Sequence, residues 1–278
     1  MTPCKLAFIG GGNMARSLIA GLIANGMPAG SIRVADSQSA VLESLKQRYS
    51  VQTFNNNLQA IDGADAVILA VKPQHLQDVV KPLRNHWQAE QLLISIAAGI
   101  RIDDIDRWLG NPAAAIVRAM PNTPALVEAG ATALYANSRV SHQQHELAES
   151  ILRACGLTIW LNDEQHMDAV TALSGSGPAY FFLVMEAMEA AAIELGLPQE
   201  TARLLCLETA FDAAKMALES GEPASVLRQQ VTSPGGTTER AIHELEDGGL
   251  RSLFENALVA AALRARTLGD ELGQDHHA

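Results

Sequence analysis

The stretch "LAFIGGGNMARSLIAGLIANG", Leu6 to Gly26, decides how the rest of the chain is read. Four apolar residues run into Gly10-x-Gly12-x-x-Ala15, and a helical pattern of Ala, Leu and Ile follows at once. In a strand-turn-helix unit the first Gly permits the tight turn. The second lets backbone N–H groups approach a pyrophosphate, and a small third residue allows the helix to pack close to the strand. The stretch therefore predicts a strand, a tight glycine turn and a helix start, read as the opening of a Rossmann-type dinucleotide-binding domain against the alternative of a merely structural glycine turn.

Outward from this stretch, short apolar runs alternate with helix-length segments: "IRVA", "AVILAV", "LLISIA" and "AIVRAM". Continuous Val/Ile/Leu/Ala runs, rather than alternating ones, predict a parallel sheet covered on both faces. "ATALYA" and "LTIWL" read as further strands, with "QQHELAESILRAC" as a helix between them. After about Asp163 the strand signals stop, and residues 178–195, 199–219, 223–230, 237–247 and 250–271 read as helices separated by Pro and Gly. The expected fold class is α/β, with an NAD(P)-binding Rossmann domain of parallel strands over residues 1–162 followed by an all-α domain over 163–278.

Composition narrows the function. A net charge of -11 without a Lys/Arg run excludes nucleic acid and anionic membrane as partners, since both need clustered basic residues. "AYFFLVMEAMEAAAIEL" is the most apolar segment, but it carries Glu186, Glu189 and Glu194, each costly in hydrocarbon, and reads as a buried helix. Three separated cysteines, Cys4, Cys155 and Cys206, form neither a disulfide framework nor a zinc site. With no signal peptide at the start of the sequence, they fit reduced thiols and a cytoplasmic location.

Several candidate site residues follow from the pattern. Asp36 ends "IRVAD", where an acid suits the ribose diol of NAD, while Ser37 beside it suits a 2'-phosphate; Asp36 reads equally as a capping residue before "SQSAVLESL". Ligands of open α/β sheets gather at the carboxyl ends of the strands, so Ala70 to Pro73, Ala97 to Gly99 and the "AMPNTPA" loop with Asn122 should edge one crevice. "VTSPGGTTERAIHELE", Val231 to Glu246, places two glycines and two threonines before a helix, either an anion site or an ordinary N-cap. "LSGSGPAY" is likewise a substrate loop or a turn whose proline starts a helix. His142 and His145, lacking a third ligand, read as solvated, no metal site is expected, and Trp108 and Trp160 read as packing residues.

At this point the chain resembles the pyrroline-5-carboxylate reductases, on "FIGGGNMA", "AVKPQ", "SIAAGI", "RAMPNTPA", "GATALYAN", "DAVTALSGSGPAYFF" and "VTSPGGTTERAIHELE" in order. The resemblance implies that Gly10, Gly12, Asn13 and Met14 cradle a pyrophosphate, that Asn57 contacts the adenosine end, and that Ala70, Val71, Lys72, Pro73 and Ala97 line the cofactor crevice. Ile9, Gly11, Asp36, Ser37, Ala98, Gly99 and Asn122 complete the expected cofactor set. Glu164, Ser174, Gly175, Ser176, Gly177, Ser233, Gly235, Gly236, Thr237 and Thr238 are the expected substrate set, with Thr238 in the catalytic role.

The implied reaction is hydride transfer from NADPH or NADH to the imine carbon of 1-pyrroline-5-carboxylate, giving L-proline, the last step of proline biosynthesis. Where hydroxy-acid dehydrogenases place a lysine after their glycine motif, Gly175-x-Gly177 leads to Phe181, which disfavours alcohol oxidation and leaves imine reduction. The resemblance also implies an intertwined homodimer that assembles further, for example into a decamer. Asp36 stands where neutral residues are common in that family and bears on cofactor choice. The competing readings are a reductase of another imine and a non-catalytic NAD(P)-sensing regulator.

Overall fold

The computed structural model describes residues 4–274. One compact unit runs to Ser176 and takes up the chain again from Ala261; the other is Gly177–Ala260.

The first unit is built on an eight-stranded sheet. Its strands are β1 (Leu6–Ile9), β2 (Ile32–Ala35), β3 (Gln52–Phe54), β4 (Ala66–Leu69), β5 (Leu92–Ser95), β6 (Ala115–Met120), β7 (Gly130–Ala136) and β8 (Gly156–Trp160), in the order β3-β2-β1-β4-β5-β6-β7-β8. Helices α1 (Asn13–Ala24), α2 (Ser39–Tyr49), α3 (Asn57–Ile61), α4 (Leu76–Val80), α5 (Ile102–Leu109), α6 (His142–Arg153) and α7 (His166–Val170) belong to the same unit.

Side chains of a strand alternate between faces, so a strand buried on both must be apolar throughout. Leu6 and Phe8 enter one core cluster and Ala7 and Ile9 the other; Ala66 and Ile68 part from Val67 and Leu69 in the same way. The first cluster is closed by α1, α2 and α6 through Leu18, Leu45 and Ile151, the second by α3, α4 and α5 through Ile61, Leu76 and Ile105.

The predicted runs all hold strands, and the sheet is parallel from β3 through β6. Two features depart from the sequence reading. β7 runs antiparallel to β6, because the connection through a 3-10 turn at Thr123–Val127 is too short for a crossover helix. β3 was not anticipated: three residues, with Gln52 exposed, carry neither an apolar run nor a clean alternation.

The second unit holds α8 (Gly177–Glu194), α9 (Gln199–Ser220), α10 (Ala224–Gln230), α11 (Thr237–Asp247) and the first part of α12 (Leu250–Leu272). The two compact units meet in sequence between Ser176 and Gly177, and Met167 and Ala172, just before that point, are buried. In addition, the end of α12 returns to the first unit, a return that a sequence boundary cannot express. Helices α8 and α9 pack on one another, and the Cys206 thiol contacts the Met185 carbonyl oxygen at 3.4 Å. Yet Phe181 and Phe211 are 68% and 62% exposed, and Phe182, Leu183, Leu204 and Leu205 are exposed with them.

Among the described residues no helix is long and apolar enough to cross a membrane. The three cysteines are free, and burial pushes the thiols of Cys4 and Cys155 up to about 11.

Candidate functional site

The carboxyl ends of the parallel strands line up along one edge, since Ile9 pairs with Ala35 and Leu69, Ala35 with Phe54, and Leu69 with Ser95. Gly10 follows β1 with φ +100°, and a Cβ there would stand 2.7 Å from the Ala70 carbonyl oxygen. Only glycine accepts both the torsion and the approach. Gly11 is enclosed by Val41 and Leu45 of α2, whereas Gly12 has nothing within 4 Å of its Cβ position.

Gly12 is the N-cap of α1 with no side-chain cap, and no acidic residue occupies the first turn. The amides of Asn13 and Met14 carry no partner among the described residues. An open glycine at the positive end of a twelve-residue helix fits a pyrophosphate.

The rest of the expected cofactor set lies along this edge. One Asp36 carboxylate oxygen accepts from Gly11 N–H at 2.8 Å and the other from Gln38 N–H at 2.8 Å. Asp36 therefore braces the glycine turn as well as opening the approach to α2, whose N-cap is Gln38. Ser37 is exposed beside it. Asn57 is the first residue of α3, and its neighbour Asn56 caps that helix by accepting from Leu58 N–H at 2.8 Å. Ala70 and Val71 are half-buried, Lys72 is exposed, and Pro73 starts a 3-10 turn. Ala97 is buried, Ala98 exposed, and Gly99 takes φ +82°. Asn122 accepts from Ala131 N–H at 2.9 Å and donates to Ser174 Oγ at 3.2 Å, tying the β6–β7 connection to the "LSGSG" segment.

That segment continues α7 as a π-helical turn, Thr171–Gly175, closed by Ser176 N–H to the Thr171 carbonyl at 2.9 Å. Such turns in a helical ladder are frequent at functional sites. Gly175 lies against the end of the Met120 side chain, and Gly177 opens α8.

Glu164 is more constrained than a substrate contact alone requires. Its Oε1 accepts from Arg118 Nη1 at 2.9 Å and from Ile102 N–H at 3.0 Å. Sequence reasoning passed over Arg118, although an arginine inside the apolar strand "AIVRAM" is a signal, because a buried cation needs a partner. Both residues help line a charged cleft of about 440 Å³, where Arg266 and Asp168 meet at 3.5 Å.

In the second unit Gly235 has φ +71° and donates its N–H to Glu239 Oε2 at 2.8 Å; Gly236 donates to the Ser233 carbonyl at 3.0 Å. Two of the four amides expected to receive an anion are thus already engaged. Those of Thr237 and Thr238 have no partner among the described residues. The N-cap of α11 is Gly236, with no side-chain bond, so neither threonine is the cap. Ser233 and Thr237 are exposed, and Thr238 is half-buried.

Elsewhere, His145 stacks on Trp160 with ring centroids 3.5 Å apart, and His142 faces Glu146 at 3.7 Å. Trp108 is fully buried. No group of three metal-ligating side chains occurs among the described residues.

A profile described as pyrroline-5-carboxylate reductase dimerisation matches residues 164–268, and one described as NADP oxidoreductase, coenzyme F420-dependent, matches residues 5–99. A pyrroline-5-carboxylate reductase from Pseudomonas aeruginosa is 48% identical over 274 residues, covering 99% of this chain and 100% of that one. The structure of a pyrroline-5-carboxylate reductase from Coxiella burnetii superposes with a TM-score of 0.91 at 49% identity, over 96% of this chain and 99% of that one. A pyrroline carboxylate reductase from Plasmodium falciparum with NADP bound superposes at 0.85 with 29% identity, over 97% and 99% of the two chains.

The Arg118–Glu164 pair generates a stability prediction. The Arg118 side chain is 5% exposed, and removing its partner leaves a buried charge uncompensated. Glu164→Ala should cost about 3 kcal/mol in urea unfolding. Glu164→Gln, which keeps an acceptor for Ile102 N–H, should lose less. A Glu164→Ala protein with the wild-type urea midpoint and only a raised substrate KM would make Glu164 a substrate contact and not a structural tie.

Proposed function

The chain belongs to the pyrroline-5-carboxylate reductase family, an NAD(P)H-dependent oxidoreductase that reduces the C=N bond of 1-pyrroline-5-carboxylate to proline, and from that premise we propose how its residues share the work. The α1 start, with Gly10, Gly12 and the amides of Asn13 and Met14, receives the cofactor pyrophosphate. Asp36 and Asn57 face the adenosine end, and Ala70 to Pro73 with Ala97 to Gly99 line the crevice towards the nicotinamide, which when bound supplies the hydride.

The observation that carries the substrate assignment is the unpartnered start of α11. Its two open amides sit at the positive end of an eleven-residue helix, suited to the carboxylate that substrate and product share. The Thr238 hydroxyl, also without a partner among the described residues, lies one residue into the same helix. A protonated cyclic imine arrives already activated, so no strong general base is needed. As hydride reaches the ring carbon, a lone pair develops on nitrogen, and the Thr238 O–H donates to it. That hydrogen bond strengthens only along the reaction, which is the condition for raising turnover.

We further propose an obligate homodimer, assembling to a larger oligomer such as a decamer, with active sites completed at the subunit interface. The exposed apolar residues of α8 and α9 support a partner chain, since isolated soluble domains rarely leave so much apolar surface open.

Steady-state reduction of 1-pyrroline-5-carboxylate with NADH and NADPH in parallel tests the activity and the place of Asp36. Repulsion of a 2'-phosphate by this carboxylate predicts that Asp36→Ser improves kcat/KM for NADPH more than for NADH. An unchanged ratio removes Asp36 from cofactor choice. Thr238→Ala should lower turnover at saturating substrate by roughly tenfold, about 1.4 kcal/mol, with Tm unchanged because no cap is lost. Thr238→Ser should recover much of the rate, whereas wild-type turnover in the alanine variant would remove Thr238 from the chemical step. Sedimentation at assay dilution should show no active monomer, and a monodisperse active monomer would refute the dimer.

A further inference from the structure

We infer that the last turn of α12 is a positioning clamp on the loop that carries Ala97 to Gly99, acting through Gly269. The inference rests on the proposed role of that loop in lining the cofactor crevice.

Gly269 lies inside the final turn of α12, where glycine is among the least favoured residues for a helix. The contact it makes accounts for its presence. A Cβ on Gly269 would stand 2.6 Å from the Gly99 carbonyl oxygen, and one on Gly99 would stand 3.4 Å from the Gly269 nitrogen. Helix backbone therefore rests directly on loop backbone, one residue from Ala98. Around this contact Arg101 Nη2 meets Asp270 Oδ1 at 2.6 Å, Arg107 donates to the Gly273 carbonyl, and Leu272 packs against the core.

These contacts are unequal. Arg101 and Asp270 are 41% and 57% exposed, so their attraction is screened and the pair contributes little to holding the loop. The glycine contact involves no rotamer that could turn aside. Any side chain at residue 269 must displace the Gly99 carbonyl and with it Ala97 and Ala98, because packed backbone yields by moving as a whole. Displacement of a crevice wall by a fraction of an ångström weakens and misorients what binds there.

The test compares Gly269→Ala with two reference variants, by calorimetric Kd for NADPH and NADH, kcat, KM for 1-pyrroline-5-carboxylate, and Tm. Gly269→Ala is expected to weaken cofactor binding at least fivefold. Leu272→Ala, which loosens the same helix end without pushing on the loop, should lower Tm and leave cofactor Kd unchanged. Wild-type cofactor affinity in Gly269→Ala overturns the clamp, as does equal weakening in Leu272→Ala, which would reduce the contact to general stability. Ala98→Asp tests the loop itself. If it binds cofactor normally, the crevice assignment fails and the clamp with it. If it binds weakly while Gly269→Ala does not, the assignment stands and the clamp alone falls. Should Gly269→Ala not fold, hydrogen exchange on the full wild-type chain should show the amides of Ala97 to Gly99 opening together with those of Gly269 and Asp270, and loop amides that open independently of that helix end overturn the inference.

Discussion

The first unit depends on the approach of the Gly10 backbone to the Ala70 carbonyl at the carboxyl ends of β1 and β4. Gly10 N–H donates to the Ala35 carbonyl at 2.7 Å and Ala70 N–H to the Ile9 carbonyl at 2.8 Å, so the glycine turn is stitched to both neighbouring strands before α1 begins. A side chain at residue 10 would push β4 away and carry the strand-end loops with it. The position of the α1 N-terminus relative to the carboxyl ends of β1 and β4 follows from that missing Cβ.

Several residues of the proposed site also hold the fold, and this shapes what any variant would report. Asp36 braces Gly11 with one carboxylate oxygen and accepts from Gln38 N–H with the other. Asn122 joins the β6–β7 connection to Ser174, and Glu164 neutralises Arg118 while holding the first amide of α5. In each case the polar atoms that would contact a ligand are oriented by backbone groups. This preorganises the site, and it means that kinetic effects at these residues need stability measured beside them.

The second unit works by the opposite logic. Helices α8 and α9 lack a single apolar stripe, and with Phe181, Phe182 and Leu183 exposed they have not buried their hydrophobic surface within one chain. A helix apolar all round is stable only where it is covered all round. The match of residues 164–268 to a dimerisation family agrees with that surface.

The sequence by itself determined the elements and much of the chemistry. Five of the strands were legible as largely apolar runs and two more as shorter strand signals, the glycine turn from its flanks, and the helices after Asp163 from their length and their Pro and Gly punctuation. These are local signals, set by burial and backbone torsion within a few residues. The reversal at β7, the short strand β3, the pairing of Arg118 with Glu164 and the return of α12 to the first unit were decided only by tertiary structure. So was the placing of Gly269 on Gly99. Each depends on a contact between segments whose separation along the chain, or whose hydrogen-bond partner, leaves no periodic trace in the sequence. Polar groups are satisfied by whatever the fold brings within 3 Å, and only the packed chain determines what that is.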